Sequence, residues 1–136
     1  MPVLFVRPET RGGALRAGSI GTDLMLAQSL DADDLRTRKA TPDSFLGTGL
    51  QAWLRAAAVD HLVICGHASE FCVDTTVRRA AALGNAVMRV ADAHTAHDKP
   101  HATAAAIRAY ENATLPEIPR FGACIQVLPG ADVRFA

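Results

Sequence analysis

The stretch LVICGHASEFCVDTTVRRAAALG, residues 62–84, decides the predicted fold of this chain. It begins with the apolar run LVICG, which ends at Gly66 and is typical of a strand buried on both faces of a parallel sheet. A helical pattern follows from about Val73 to Leu83 and ends at Gly84, a residue type common immediately after a helix. A strand that leads into a helix of this length predicts an α/β unit.

Three further segments show the same near-continuous apolar pattern and are predicted strands: VLFVR (3–7), AVMRV (86–90) and CIQVL (124–128). Helical patterns lie between them, and strands that alternate with helices predict βαβ crossovers. We therefore predict an α/β fold with a doubly wound, mostly parallel sheet and helices on both faces, arranged in three layers like a Rossmann fold.

Two more helices accompany the helix of the opening stretch. Apolar residues recur at helical spacing over 45–57, and Asp43 or Ser44 is placed as the N-cap. A further pattern covers roughly 101–115 and ends before a proline. The region 8–38, which is less regular and rich in Gly and charge, predicts loop, with a short helix near Leu24–Leu30.

Length and charge limit the class of protein. The 136 residues fit one domain, 1–136, and Lys plus Arg equals Asp plus Glu at 14 each. Without a basic cluster, nucleic acid and anionic membranes are not expected as partners. No apolar run approaches the roughly 18 to 20 residues that span a bilayer. The N-terminus does not resemble a secretory signal, and three cysteines without Cys-x-x-Cys spacing predict reduced thiols in the cytoplasm.

Cys72 lies where the predicted strand of the opening stretch turns into a helix. Ligands of open parallel sheets bind beyond the carboxyl ends of the strands, and a helix N-terminus favours the thiolate over the thiol. Cys72 is therefore a candidate nucleophile, and a small apolar residue under a turn is the alternative. Cys65 and Cys124 fall inside apolar strands, where desolvation keeps a thiol neutral, and are predicted core residues.

The sequence of residues 62–93 resembles the signature of the isochorismatase-like cysteine hydrolases, the superfamily of isochorismatase, nicotinamidase and N-carbamoylsarcosine amidase. The shared pattern is a strand, Gly, two variable residues, Thr or Ser, an acid, one more residue, Cys-Val and a helix. RKATPDSFLGTGLQAWL (38–54) resembles the family's Lys, Ser-x-Phe and Gly-Thr before an amphipathic helix. With RAGSIGTDL (16–24) and IQVLPGADVRF (125–135), the resemblance covers nearly the whole chain. It implies hydrolysis of a small amide through a covalent thioester.

The resemblance also implies roles for individual residues. It places the family's nucleophile on Cys72, its catalytic lysine on Lys39, and the two oxyanion-hole amides on Ala68 and Cys72. It implies a cis peptide bond between His67 and Ala68, and it makes Phe45 a candidate for apolar contact with substrate. Taken alone, Lys39 is an ordinary solvated lysine, whereas an ammonium group beside a thiolate stabilises the anion.

The family's third catalytic member is an Asp at the end of its first strand, in a pattern like Val-x-Asp-x-Gln-x-x-Phe, and this sequence has no such segment. PVLFVRPET (2–10) corresponds to the family's second strand, so the fold is expected to be N-terminally incomplete. In the family the opening strand runs between the equivalents of 3–7 and 62–66. Either those two strands pair directly, or something else fills the gap, because unpaired backbone groups are costly when buried.

Two functions follow from these observations and stay open. The first is a cysteine hydrolase with a small-molecule substrate. Its activity is expected to be weak unless another chain supplies the carboxylate. The second is a catalytically impaired homologue that serves as a binding or assembly module, and a homo-oligomer is expected because incomplete sheets tend to associate. Relatives resembling isochorismatase cleave a vinyl ether without a covalent cysteine step, so the type of reaction is open as well.

Three histidines, His94, His97 and His101, lie close together in DAHTAHDKPH, but their order matches no known zinc spacing. Surface or loop-capping roles are expected for them. The nicotinamidase branch of the family binds a metal through an Asp and two His in its N-terminal half, whereas residues 1–60 contain no histidine. No metal and no other cofactor is predicted.

Overall fold

A computed structural model describes residues 2–20 and 34–135 of the chain. Within these ranges the strands are β1 (Leu4–Pro8), β2 (Leu35–Lys39), β3 (His61–His67), β4 (Ala86–Thr95) and β5 (Ile125–Leu128). The α-helices are α1 (Leu50–Ala56), α2 (Asp74–Ala82) and α3 (Ala104–Thr114). A π-helical turn covers Ser69–Val73, and 3-10 turns cover Leu115–Glu117 and Gly130–Asp132. From β2 onward strands alternate with helices, which confirms the predicted α/β class.

The described strands form two parallel sheets. β1 pairs with β2 from Leu4 opposite Leu35 to Pro8 opposite Lys39. The second sheet has the order β3-β4-β5, and both of its ladders are parallel, which confirms the predicted strand direction. Within residues 2–20 and 34–135 no ladder joins β1 to β3. These are the two strands between which the resemblance places an additional strand, and they do not pair directly.

The apolar pattern does not predict β2, because its sequence LRTRK is mostly polar. The side chains alternate along the strand: Arg36 and Arg38 are exposed, whereas Lys39 is buried. A polar strand with alternating exposure is easily taken for a loop when strands are sought as continuous apolar runs. The region 8–38 predicted as loop therefore contains most of a strand, and Lys39 is the last residue of that strand.

β3 is less buried than predicted. Leu62 and Ile64 pack against the hydrophobic core, but Val63 is 41% exposed and Cys65 is exposed, so only one face of the strand is covered by described residues. The predicted burial of β3 on both faces is therefore wrong. The predicted core position of Cys65 is wrong for the same reason, because successive side chains of a strand point to opposite faces. Cys124, immediately before β5, is also exposed, contrary to prediction.

The hydrophobic core lies between α1, α2 and the second sheet. Its buried members are Phe45, Leu50, Leu54, Val73, Val77, Ala80, Ala81, Val87, Leu115 and Ile125. Ala80 and Ala81 are fully buried on the inner face of α2, where small side chains allow the helix to lie close to its neighbours. Val73 and Val77 continue the same face back to the start of the helix, so the core fixes the position of that end.

The first helix begins later than predicted. α1 has Gly49 as its N-cap, so the prediction of Asp43 or Ser44 is wrong. Gly47 has a φ of +69°, a left-handed conformation that interrupts helical geometry. Asp43 instead stabilises the preceding turn, because its Oδ1 accepts a hydrogen bond from the amide of Phe45 at 2.8 Å.

The other two described helices agree better with the sequence. α2 is followed by Gly84 at a φ of +90°, as expected of a residue just past a helix. α3 begins after Thr103, whose hydroxyl caps it by accepting a hydrogen bond from Ala106 N at 3.1 Å. The predicted short helix near Leu24–Leu30 lies outside the described residues. Among the described helices, none is long and apolar enough to cross a membrane.

Candidate active site

The end of β3 changes direction sharply before it reaches Cys72. Gly66 has a φ of +131°, which a residue with a side chain rarely adopts, and the pairing with β4 is irregular between Ile64 and Gly66. The peptide bond between His67 and Ala68 is cis. The π-helical turn begins at the next residue, so Cys72 stands in a helical turn directly beyond the carboxyl end of a parallel strand.

Cys72 is half-buried, and the backbone around it is held by the carbonyl oxygen of Ala68. That oxygen accepts hydrogen bonds from Phe71 N at 3.1 Å and from Val73 N at 3.0 Å, the amides on either side of Cys72. Ala68 itself is buried. The two residues that the resemblance assigns to an oxyanion hole therefore belong to one tightly bonded turn.

A group of buried polar side chains lies beneath this turn. Ser69 and His94 are both fully buried, and Ser69 Oγ lies 2.7 Å from His94 Nδ1. Arg89 Nη2 lies 2.8 Å from the same ring nitrogen, and His94 Nε2 lies 2.8 Å from Asn112 Oδ1. The predicted surface role is therefore wrong for His94, since the bulge in β4 directs its ring into the interior.

The same group includes a buried ion pair. Arg89 is fully buried on β4, and its Nη1 lies 3.2 Å from Glu111 Oε2 on α3. Burial raises the pKa of Glu111, with a further upward contribution from the charge of Asp74, and these outweigh the lowering effect of Arg89. Burial lowers the pKa of Arg89 in turn. Arg89 Nε has no hydrogen-bond partner among the described residues.

Lys39 stands at the end of β2, in the other described sheet. Its side chain is buried, with 6% of the residue exposed, and Nζ donates a hydrogen bond to the carbonyl oxygen of Pro42 at 2.7 Å. The hydroxyl of Thr76 donates to the same oxygen at 3.4 Å and lies 2.9 Å from Ser44 Oγ. Thr76 follows Cys72 by four residues, about one helical turn, so these bonds connect the lysine to the helix that bears the cysteine.

Lys39 has no counter-ion among the described side chains. Within residues 2–20 and 34–135, no carboxylate oxygen lies within 4.0 Å of its Nζ. A buried ammonium group whose described partner is a carbonyl oxygen is expensive to desolvate, and a nearby anion stabilises it.

The predicted substrate contact Phe45 belongs to the hydrophobic core and is 7% exposed. Its backbone amide is bonded to Asp43, in the turn that precedes α1. Contact between Phe45 and a substrate stays a prediction.

A cleft of about 410 Å³ opens beside the turn, between it and α3, and is lined by Glu70, Lys99, His101, Ala102, Ala106, Ile107, Tyr110 and Glu111. Lys99 Nζ lies 2.6 Å from Glu70 Oε1 and 4.9 Å from the ring centre of Phe71. Burial raises the pKa of Glu70, but the hydrogen bond and charge of Lys99 outweigh burial and bring the pKa below its ordinary value. Cys72 does not line this cleft, so the cleft does not surround the candidate nucleophile.

The histidines form no metal site in the part of the chain that the structure describes, where no group of three or more His, Cys, Asp or Glu side chains is placed to hold an ion. Both ring nitrogens of His94 are occupied by protein partners. The ring of His97 instead packs edge-on against that of His67, with centroids 4.9 Å apart.

Sequence reasoning places Cys72, Lys39 and Ala68 in the site but does not find the buried polar group beneath it. The sequence contains one signal of this buried polar group: Arg89 is the one charged residue in the apolar run AVMRV. A charge inside a buried strand needs a buried partner, and Glu111 stands on the helix that follows that strand. The partnership of Ser69 with His94 had no comparable signal, since it depends on the bulge in β4.

Comparison with known proteins gives consistent results over most of the chain. A family model described as the isochorismatase domain matches residues 1–125. The crystal structure of an isochorismatase family protein superposes with a TM-score of 0.83 at 32% sequence identity, and the match covers 93% of this chain and 72% of that one.

Two curated hydrolases are similar to parts of the chain. The streptothricin hydrolase of Streptomyces noursei is 48% identical over 65 residues, which are 48% of this chain and 24% of that protein. The ureidoacrylate amidohydrolase of Caulobacter vibrioides is 33% identical over 78 residues, which are 57% of this chain and 35% of that protein. The match thus spans about a quarter to a third of the length of these relatives.

Proposed function

The chain belongs to the isochorismatase family, and from this premise we propose that it is a hydrolase of small amides with Cys72 as its nucleophile. The observation that carries the proposal is the position of this half-buried thiol in a helical turn directly after a parallel strand. Amide groups at the start of a helix stabilise a thiolate, and a thiolate is the reactive form of cysteine.

In the proposed reaction the Cys72 thiolate attacks the amide carbon and forms a carbon–sulfur bond. The carbonyl oxygen becomes an oxyanion that accepts hydrogen bonds from the backbone amides of Ala68 and Cys72. The carbon–nitrogen bond then breaks, and the leaving amine takes from solvent the proton that the Cys72 thiol released on ionisation, which leaves a thioester on Cys72. Water attacks the thioester, gives its hydroxyl to the acyl group and its proton to the sulfur, and so restores the thiol.

Lys39 has an electrostatic role in this proposal. Its buried ammonium group is connected through Pro42 to Thr76, one turn from the nucleophile, and has no carboxylate within 4.0 Å among the described residues. A positive charge in that position stabilises the thiolate and the oxyanion. A proton acceptor for the thiol is not identified among the described side chains, so we expect slow turnover by the isolated chain.

The second candidate function is an assembly or binding module without catalysis. Two observations favour it: the absence of a ladder between β1 and β3, and the absence of a carboxylate beside Lys39, both within the described residues. Unpaired strand edges promote association, so a homo-oligomer in which a second copy covers the opening is part of this proposal.

Turnover of defined amides discriminates between the two candidates. The names of the relatives suggest streptothricin and ureidoacrylate as the first members of a panel of amides. We expect release of amine or ammonia, a mass increase on Cys72 after rapid acid quenching, and loss of both in Cys72→Ser, with a fall in rate of at least about 10³-fold.

Cys124→Ser is the matched control, because it removes a thiol that is exposed and outside the turn. Equal turnover by Cys72→Ser and Cys124→Ser would exclude the cysteine mechanism. Absence of turnover with every amide, together with a stable oligomer in light scattering, would favour the module.

A further inference from the structure

We propose that His94 is a positioning residue, a neutral imidazole protonated at Nε2 that fixes the turn bearing Cys72 through its contact with Ser69. The role of His94 in catalysis rests on the proposed function of Cys72 as the nucleophile. Its structural part depends on the buried contacts alone.

The protonation state of His94 follows from what its neighbours are able to donate. A guanidinium group only donates hydrogen bonds, so His94 Nδ1 accepts from Arg89 Nη2 at 2.8 Å and carries no proton. The Ser69 hydroxyl, 2.7 Å from the same nitrogen, is then the donor in that contact as well. The Arg89 contact therefore requires a ring without a proton at Nδ1, and the two donors share the one lone pair of that nitrogen.

The other ring nitrogen is fixed by Asn112. Its Nδ2 donates to the carbonyl oxygen of Ala91 at 3.0 Å, which leaves Oδ1 facing His94 Nε2 at 2.8 Å. An amide oxygen only accepts, so Nε2 carries the proton. Burial lowers the pKa of His94, and the charges of Arg89 and Arg108 add to this effect against the opposing hydrogen bond of Asn112, which agrees with a neutral ring.

The contact between His94 and Ser69 anchors the start of the turn, whereas the hydrophobic core anchors its last residue. Val73, the last residue of the turn, is packed in the hydrophobic core. Ser69, its first residue, is polar and fully buried, and its side chain contacts His94 on β4. This bond therefore ties the start of the turn to β4, and with it the position of Cys72 relative to the sheet. Displacement of a reacting group by about 1 Å can cost up to about 100-fold in rate.

The first test measures the proton on His94 by NMR of protein with ¹⁵N-labelled histidine. His94→Gln identifies the ring signals by their loss. We expect one set of signals from a ring protonated at Nε2 only, unchanged between pH 7 and pH 6. A ring protonated at Nδ1, or at both nitrogens, would overturn the proposal, and this result does not depend on any enzymatic activity.

The second test measures the rate at which iodoacetamide modifies Cys72. Ser69→Ala removes the link to the turn but keeps Arg89, His94 and Asn112 together. We expect a rate reduction of about 10- to 100-fold in protein that remains folded. His94→Asn, which keeps an acceptor near the position of Nδ1, is expected to recover part of the rate lost in His94→Leu.

The matched control is Asp60→Asn, which alters an exposed contact, 2.6 Å between Asp60 Oδ1 and His61 Nδ1. It is expected to leave the rate at Cys72 unchanged. A rate within about twofold of the wild type in Ser69→Ala would overturn the positioning role. The test compares rates of Cys72 modification between variants, so it can be read even where no amide is hydrolysed. Failure of the proposed function and failure of this inference are therefore distinguishable.

Discussion

The two sides of the candidate site are held in different ways. On the cysteine side, the turn that bears Cys72 rests on fully buried polar groups from β4 and on the apolar face of α2. On the lysine side, Lys39 ends a two-stranded sheet that shares no ladder with the other described strands, and its ammonium group donates to the carbonyl oxygen of Pro42.

The comparison shows that the nucleophile is built into the interior, whereas the lysine side, where Leu4 packs against the edge of the core, is joined to α2 by a small polar connection. That connection is the contact of Pro42 and Ser44 with Thr76. Substitutions beneath the turn are therefore expected to cost more stability than substitutions at the connection.

The largest effect is expected beneath the turn. Arg89→Met removes one member of a buried ion pair and leaves Glu111 without its partner, which costs about 3 to 5 kcal/mol of unfolding free energy in comparable cases. The control is Arg78→Met, which breaks a partly exposed pair with Asp74 and is expected to cost less than about 1 kcal/mol. Urea denaturation measures both. Equal costs would contradict the idea that the cysteine side rests on this buried group.

A smaller effect is expected at the connection to the lysine side. Thr76→Val keeps the shape of the side chain but removes the hydroxyl that bonds Ser44 and Pro42, and it is expected to cost about 1 to 2 kcal/mol. Thr75→Val, at the adjacent half-buried position, is the control and is expected to be nearly neutral. Hydrogen exchange of the amides of β2 should increase in Thr76→Val only. Unchanged exchange there would show that the lysine side is held by something else.

The smallest effect concerns pH. The pKa of His94 is lowered in the folded protein, so below its ordinary value of 6.5 the unfolded chain binds a proton that the folded chain does not. Stability due to His94 therefore falls as pH drops below about 6.5, by at most about 1.4 kcal/mol per pH unit. Glu111 acts in the opposite direction. Its pKa is raised in the folded protein, so above its ordinary value of 4.5 the folded chain binds a proton that the unfolded chain has lost, and the stability due to Glu111 falls as pH rises.

The difference between wild type and His94→Gln isolates the histidine. Thermal melts between pH 7 and pH 5 should show a steeper loss in the wild type than in the variant. The groups around the ring are Ser69 on the turn, Arg89 on β4, and Arg108, Glu111 and Asn112 on α3. Parallel curves for the two proteins would mean that this neighbourhood does not keep the ring neutral.

The elements of the fold that rest on apolar periodicity were predictable from the sequence, and those that rest on polar contacts were not. The core face of α2 and its end at Gly84 follow from residue pattern and backbone preference. β2 is not predictable from apolar periodicity, because its exposed arginines interrupt the apolar pattern. The exposure of Cys65 is not predictable either, because the sequence of an apolar strand does not show whether its second face is covered.

The candidate site was predictable to a similar extent. Cys72 and Lys39 follow from family resemblance, and the structure places the lysine in a buried position connected to the cysteine-bearing helix. His94 was not assigned to the site, because its burial depends on how β4 bulges against β3. Long-range polar contacts of this kind have no fixed spacing in a sequence.

Competition among the three thiols for iodoacetamide tests the activation of Cys72 most directly. Cys65 and Cys124 are exposed and Cys72 is half-buried, so access alone favours the first two. After brief treatment near pH 7, peptide mass spectrometry is predicted to find Cys72 modified at least about tenfold faster than either, and Lys39→Met should reduce that preference. Faster modification of Cys65 and Cys124, with Cys72 reacting only after unfolding, would contradict a nucleophilic role for Cys72.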